Sequence, residues 1–304
     1  MSASKTHFRT CNLCEAMCGI AIKVDDGVIT SIKGDEDDSF SRGHICPKAI
    51  ALKDLYEDPD RIRRPLHKVD GEWQELSWDD ALDKVAARIA SLQAEHGNDA
   101  FGVYLGNPNV HNTGSILMSG GLLRALKTKN KFSATSVDQL PHHIVCWKLF
   151  GHQLRIPVPD IDNTDHFLMF GANPLASNGS IMSVADVKQR LKDVRKRGKL
   201  VVVDPRRTAT AELADAHHFV RPGSDVLVLL AMLNVLFTEG LVNTGSITEY
   251  LDQDPADLAA SFAEFSPEKI APLTGMSAEV IRSMVHDFCA ASKPVMYGRL
   301  GVSV

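Results

Sequence analysis

Four of the six cysteines crowd into the first 46 residues, at Cys11, Cys14, Cys18 and Cys46. The run Cys11-x2-Cys14-x3-Cys18 packs three thiols into eight residues, which obliges the local chain to bend until the sulfurs converge on one centre. Disulfides, a zinc ion or an iron–sulfur cluster all use convergence of this kind. The segment before the triplet has neither the apolar core of a signal peptide nor paired arginines, which predicts a cytoplasmic protein whose thiols stay reduced. Structural zinc ordinarily takes two separated pairs, whereas here a compact triplet is completed by one distant thiol followed by proline, Cys46-Pro47. A triplet plus a remote fourth thiolate suits a cubane [4Fe-4S] cluster, which needs one sulfur at each corner. The two other cysteines, Cys146 and Cys289, read as small apolar packing residues in the interior.

Between the triplet and Cys46 lie two apolar-alternating runs, Ile20 to Val24 and Val28 to Ile32, separated by Asp25-Asp26-Gly27. Alternation with an Asp-Gly turn predicts a β-hairpin, so the candidate cluster stands at one end of a small sheet. Gly19, Gly34 and Gly43 are expected to let the backbone approach the sulfurs, where amide donors would raise a cluster's potential.

Composition excludes several classes of protein. The 304 residues carry 33 basic and 38 acidic side chains, for a formal charge of -5. With no long basic run, nucleic acid and an anionic membrane surface are poor partners. The stretch from Arg195 to Lys199 reads as a solvated helix end. No apolar run approaches the roughly 20 residues of a membrane helix; Val226 to Phe237 is short and reads as a buried helix.

Past the cysteines, strand and helix patterns alternate. Ser77 is a good N-cap for an amphipathic helix carrying Ala81, Leu82, Val85, Ala86, Ile89 and Leu92, ended by Gly97. A buried strand is expected at 100–105 and a helix at 115–127. After a polar, irregular segment come strands at 166–170 and 200–203 flanking a helix at 184–197. A strand at 218–221, helices at 225–239 and 277–291, and a strand at 294–297 follow. The fold class is therefore α/β, a small β-rich iron–sulfur domain followed by parallel-sheet domains covered by helices, with ligands at the carboxyl ends of strands. The expected divisions are 1–57, 58–130 and 131–304.

Three loops stand at those strand ends: Gly171-Ala172-Asn173-Pro174, Asp204-Pro205-Arg206-Arg207-Thr208 and Pro222-Gly223-Ser224-Asp225. Each has an ordinary turn explanation, but together they suit a nucleotide-bearing ligand. Small residues and guanidinium groups would approach a diphosphate, while Asp204 or Asp225 would accept from ribose or guanine. Neither the G-x-G-x-x-G fingerprint nor the Walker A motif is present.

The run Thr10-Cys11-Asn12-Leu13-Cys14-Glu15-Ala16-Met17-Cys18-Gly19, then Gly43-His44-Ile45-Cys46-Pro47-Lys48, and the first two of those loops resemble the catalytic subunits of the molybdopterin oxidoreductase, or dimethyl sulfoxide reductase, family. Formate dehydrogenases and assimilatory nitrate reductases belong to it. The resemblance runs from residue 7 to the last residue. It implies a [4Fe-4S] cluster, a molybdenum or tungsten ion held by two molybdopterin guanine dinucleotides, a small-molecule substrate and an electron-transfer protein or subunit as partner. By position it makes Cys11, Cys14, Cys18 and Cys46 the cluster ligands and Lys48 the lysine between cluster and pterin. Asn173, Asp204, Arg206, Thr208 and Asp225 become guanine-dinucleotide contacts.

Counting back from Phe150-Gly151, the position that holds cysteine or selenocysteine in formate dehydrogenases and nitrate reductases falls on Asp138, with Ser136 the alternative under a small shift. A carboxylate is a plausible hard ligand for oxidised molybdenum. His142 and His143 are either proton donors near the substrate or polar packing. Family subunits also continue well past Val304, so the resemblance implies a fragment that turns over nothing alone, with the rest of the 58–130 domain outside it. The competing readings are a non-catalytic iron–sulfur electron-transfer or scaffold subunit and a zinc-stapled nucleotide-binding module.

Overall fold

The computed structural model describes residues 4–14, 16–179, 182 and 184–303. The chain divides into two compact units, Met1–Ser136 and Val137–Val304.

The first unit opens with an antiparallel sheet of β1 (Ser4–Thr10), β2 (Gly19–Asp25) and β3 (Val28–Gly34), in that order. The hairpin forms where the Asp-Gly signal puts it, with Asp26 at φ 49° and Gly27 at φ 83°, the two positive values of a type I′ turn. Strand β1 is not legible in its polar sequence; it forms because it pairs along its whole length with β2, from Ser4 opposite Asp25 to Thr10 opposite Gly19. Ile20 and Ile32 bury against Cys11 and Ala49, which brings the short helices α1 (Pro47–Ile50) and α2 (Leu52–Glu57) onto the sheet. The three glycines expected to admit backbone to the sulfurs do something else at two positions. A Cβ on Gly19 would lie 2.5 Å from Asp38 Cβ, and one on Gly34 would lie 1.9 Å from the Gly43 carbonyl oxygen. What they admit is the 35–43 loop.

A second hairpin, β4 (Leu66–Val69) and β5 (Glu72–Glu75), turns on Asp70 and Gly71, both at positive φ. Helix α3 (Trp78–His96) starts where Ser77 accepts a hydrogen bond from the Asp80 amide and ends at Gly97. Such a cap is worth about 1 kcal/mol. Then β6 (Val103–Leu105), α4 (Thr113–Leu126) and β7 (Lys131–Ser133) follow, with β6 and β7 paired in parallel. The buried strand expected at 100–105 is corrected: it is three residues long, and Tyr104 is exposed, as are Leu82 and Val85 on the apolar face of α3. A sheet of two strands has no central strand to bury.

The second unit holds α5 (Leu140–Phe150) and a parallel sheet of β8 (His166–Phe170), β9 (Lys199–Val203), β10 (Ala216–His218) and β11 (Pro294–Gly298), in the order β10-β9-β8-β11. Between β8 and β9 come α6 (Pro174–Ser177) and α7 (Val187–Arg197); α8 (Ala209–Leu213) precedes β10. Helices α9 (Asp225–Thr238), α10 (Pro255–Phe262), α11 (Pro267–Thr274) and α12 (Ala278–Ala290) precede β11, and α13 (Leu300–Ser303) follows it. Strand residues alternate between two cores, as the pleat requires. Leu168, Phe170, Val201 and Val203 pack with Val228, Val235, Ile270 and Ile281, while Phe167, Met169, Leu200 and Val202 pack with Leu191 and Val194. Both faces are covered, which explains the near-continuous apolar strands.

Five expectations for this unit are corrected. The segment before β8 is not all irregular: it contains β7 of the first unit and then α5, which the Pro-His-His start disguised, although proline suits a first helical turn. Helix α7 begins at Val187 rather than 184, and β10 lies two residues before the expected strand. Cys146 is buried as expected, but Cys289 is exposed, because the buried stripe of α12, Ile281, Met284 and Val285, is over by the last turn, where Cys289 lies. The basic end of α7 is partly tied down rather than simply solvated: Arg195 pairs with Asp215 at 2.7 Å and Arg197 donates to the Ile161 carbonyl at 2.8 Å.

Candidate functional site

The cysteine triplet occupies the tight connection from β1 to β2. The Cys11 amide donates to the Cys18 carbonyl at 2.8 Å and the Met17 amide to the Cys14 carbonyl at 3.2 Å. Met17 takes a left-handed φ of 42° to complete the bend. Cys46 arrives as the residue preceding α1. Cys11 and Cys18 are buried at 6% and 7% exposure, and Cys14 and Cys46 are half-buried. Burial pushes the Cys18 thiol up to about 11, and the neighbouring Cys14, Cys11 and Cys46 add to the rise. The Cys11 thiol is likewise pushed up by burial and by Cys14 and Cys46, while Lys48 pulls it down. Cys11 and Cys18 thus each lie within electrostatic reach of Cys14 and Cys46, with the exposed ammonium of Lys48 within reach of Cys11. Ionising this set costs free energy unless a positive centre compensates. Among the described residues no three His, Cys, Asp or Glu donors close around a single metal ion. The donor set, four thiols and no imidazole, fits an iron–sulfur cluster.

The arm that delivers Cys46 is tied to the strand that delivers Cys18 by residues that the sequence did not single out. The Ser41 hydroxyl donates to Asp38 Oδ2 at 2.6 Å and accepts from the Gly19 amide at 2.9 Å. These bonds, led by that of Ser41, hold the Asp38 carboxyl below its ordinary range.

In the second unit the carboxyl edge of the sheet gathers the loop residues. Asn173, just past β8, accepts from the buried Thr210 hydroxyl at 2.7 Å. Asp204, just past β9, accepts from the Arg206 amide at 2.8 Å, and its carbonyl oxygen lies 3.0 Å from His217 Nε2. Thr208 is buried and spends its hydroxyl oxygen capping α8 at Ala211. Arg206 is exposed. Asp225 opens α9 at 7% exposure, and its Oδ1 is buried with no hydrogen bond. Burial raises its pKa, and the charge of Asp204 raises it further. An unpaired buried carboxylate oxygen costs about 1–3 kcal/mol, and an N–H donor supplied by a ligand would recover that loss.

Asp138 and His142 meet at the far side of the same edge, where β11 ends. Asp138 Oδ1 lies 3.4 Å from Arg299 Nη1, and His142 hydrogen bonds to the Gly298 backbone. Burial, then the charges of Arg299 and His143, pull the His142 pKa down, which favours the neutral imidazole. Arg299 is a site residue that no motif singles out; its one sequence signal is its position directly after an apolar strand, at a carboxyl edge.

Comparison with known proteins places these features. Residues 5–56 match the molybdopterin oxidoreductase Fe4S4 domain, and residues 61–295 match the molybdopterin oxidoreductase domain. A nitrate reductase of Symbiobacterium thermophilum is 28% identical over 96% of this chain and 39% of its own length. Formate dehydrogenase H of Escherichia coli is 26% identical over 96% of this chain and 40% of its own length. Acetylene hydratase from Pelobacter acetylenicus superposes with a TM-score of 0.79 at 25% identity, covering 98% of this chain and 41% of that one. The chain thus spans about two fifths of these relatives' length. Among the described residues no helix is long and apolar enough to cross a membrane. With an iron–sulfur domain of four gathered thiols leading into a parallel sheet that both matches cover in turn, the chain belongs to the molybdopterin oxidoreductase family.

Proposed function

We propose that this chain provides the cluster-binding and part of the pterin-binding machinery of a molybdenum- or tungsten-dependent oxidoreductase acting on a small molecule. In this reading residues 1–57 hold a [4Fe-4S] cluster through Cys11, Cys14, Cys18 and Cys46, and residues 131–304 hold a molybdopterin guanine dinucleotide. When bound, the metal–pterin supplies two-electron redox chemistry and the cluster carries single electrons to a partner protein. The chain's own residues bind, orient and neutralise. Lys48 offsets the negative charge of the thiolate set; Asp225 and Asp204 accept from guanine or ribose, and Arg206 faces the phosphates. Asn173 and Thr208 shape the loops around them. Asp138 offers a carboxylate to the metal. The neutral imidazole of His142 accepts a proton released at the substrate.

The observation that carries the reading is the bend that closes Cys11 onto Cys18, with both thiols buried and within electrostatic reach of Cys14 and of Cys46 at the start of α1, on a chain that matches the Fe4S4 domain. Iron, sulfide, molybdenum and tungsten measured on one anaerobically purified sample test it. About four irons per chain are expected, the content of one cubane. Stoichiometric zinc without iron after attempted reconstitution would overturn the cluster, and iron without molybdenum, tungsten or pterin would reduce the protein to an electron carrier.

A further inference from the structure

Arg299 is 7% exposed, and its backbone has little freedom to move. Its amide donates to the Phe170 carbonyl at 3.1 Å, and its carbonyl accepts from the Val302 amide at 2.8 Å. Two residues on, the Gly301 amide donates to the Gly171 carbonyl at 3.3 Å. The two backbones press so closely there that a Cβ on Gly171 would lie 2.6 Å from Gly301 Cα. The guanidinium therefore springs from a fixed root at the end of β11.

That root stands at a particular place in the sheet. In the order β10-β9-β8-β11, the chain steps from β8 in one direction to β9 and β10, and β11 returns to the other side of β8. The winding reverses between β8 and β11, and open parallel sheets bind their ligands at the carboxyl ends of the strands flanking such a reversal. Arg299 follows one of those strands and Gly171 the other.

Asp138 has no comparable anchor. It lies in the two-residue link between a 3-10 turn at Ala134–Val137 and helix α5, its Oδ1 is buried, and no hydrogen bond reaches that atom among the described residues. Its charged neighbour is Arg299, with Nη1 3.4 Å from Oδ1. The Arg299 side chain is 9% exposed and that of Asp138 33%, and an ion pair that strips hydration from the guanidinium and from the buried Oδ1 is a poor source of net stability; what it supplies is a fixed arrangement. We infer that Arg299 is a positioning residue for Asp138: it holds Oδ1 and leaves Oδ2 as the oxygen presented to a bound metal. The inference rests on the proposal that Asp138 is the metal ligand.

Two measurements separate the inference from that proposal. In the first, Asp138→Asn, Arg299→Met and the double variant are unfolded in urea as the 304-residue chain. Coupling is expected, so that the double variant's midpoint differs from the sum of the two single shifts; additive shifts would overturn the inference. In the second, the molybdenum-loaded protein is examined by paramagnetic resonance. Asp138→Ala is expected to move the g-values, Arg299→Met to move or broaden them, and Arg299→Lys, which keeps the charge, to restore the signal in part. A moved signal in Asp138→Ala beside unchanged signals in Arg299→Met and Arg299→Lys overturns the positioning role. An unchanged signal in Asp138→Ala removes Asp138 as ligand, and with it the metal-presenting half of the inference, while the urea cycle decides whether Arg299 fixes Asp138.

Discussion

Gly34 and Gly43 meet backbone to backbone: a Cβ on Gly34 would fall 1.9 Å from the carbonyl oxygen of Gly43. The contact closes the loop between β3 and Cys46 onto the sheet, so the reach of the fourth thiol depends on a methyl group that is not there. Gly34→Ala is expected to abolish iron binding after anaerobic reconstitution, read as visible absorption and iron content. Gly27→Ala serves as the comparison. Its φ of 83° strains any other residue, but nothing lies within 4 Å of the added carbon, so a cost of about 1 kcal/mol and retained iron are expected. Equal iron loss in both variants would show that general destabilisation, not loop closure, is responsible.

Cys14 separates ligand chemistry from packing, because it is only half-buried. Cys14→Ala is expected to remove the visible absorption of the reconstituted protein while changing the thermal midpoint of the metal-free chain little. Cys289→Ala should change neither. Full absorption in Cys14→Ala would remove it from the ligand set.

His166 gives the second unit a pH dependence. It is buried at the start of β8 with its ring edge-on to Phe288, and burial, then the nearby Lys199, lowers its pKa against the opposing pull of Asp287 and Asp165. A histidine with a depressed folded pKa takes up its proton more readily when unfolded. Its contribution is therefore full above the unfolded value, near 6.5, and is lost as pH falls from there through the folded value. His142 and His218 shift in the same direction by burial. Urea midpoints are expected to fall as the pH drops below about 6.5, and His166→Leu should flatten part of that slope. An unchanged slope in the variant would assign the dependence to other groups.

Asp225 places function against stability. Its folded pKa is raised, so at neutral pH the folded state bears a carboxylate charge that burial disfavours. Asp225→Asn is expected to raise the thermal midpoint of the metal-free chain, a gain on the order of 1 kcal/mol, the scale of an unsatisfied buried group. The same change should lower pterin content in the loaded protein, because an amide presents one acceptor oxygen where guanine meets two. Higher stability with undiminished pterin would free Asp225 from nucleotide recognition.

The sequence alone determined whatever depends on neighbours along the chain. The Asp26-Gly27 turn, the Ser77 cap of α3, the apolar runs of β8 and β9 and the spacing of the cysteine triplet are all local, because turn φ values, capping bonds and helical or pleated periodicity act over a few residues. Strand β1 and helix α5 are not legible in the sequence for the complementary reason. A polar strand forms only because β2 offers it a ladder, and the apolar pattern of α5 is masked by its Pro-His-His start. The site divided along the same line. The thiols announced themselves by spacing, whereas the Gly19–Ser41 bond and the approach of Arg299 to Asp138 join residues far apart in the chain, and the unpaired oxygen of Asp225 follows from burial. Only the tertiary structure decided these, because burial and charge proximity between distant residues are set by how the sheet and loops close, and no local pattern encodes them.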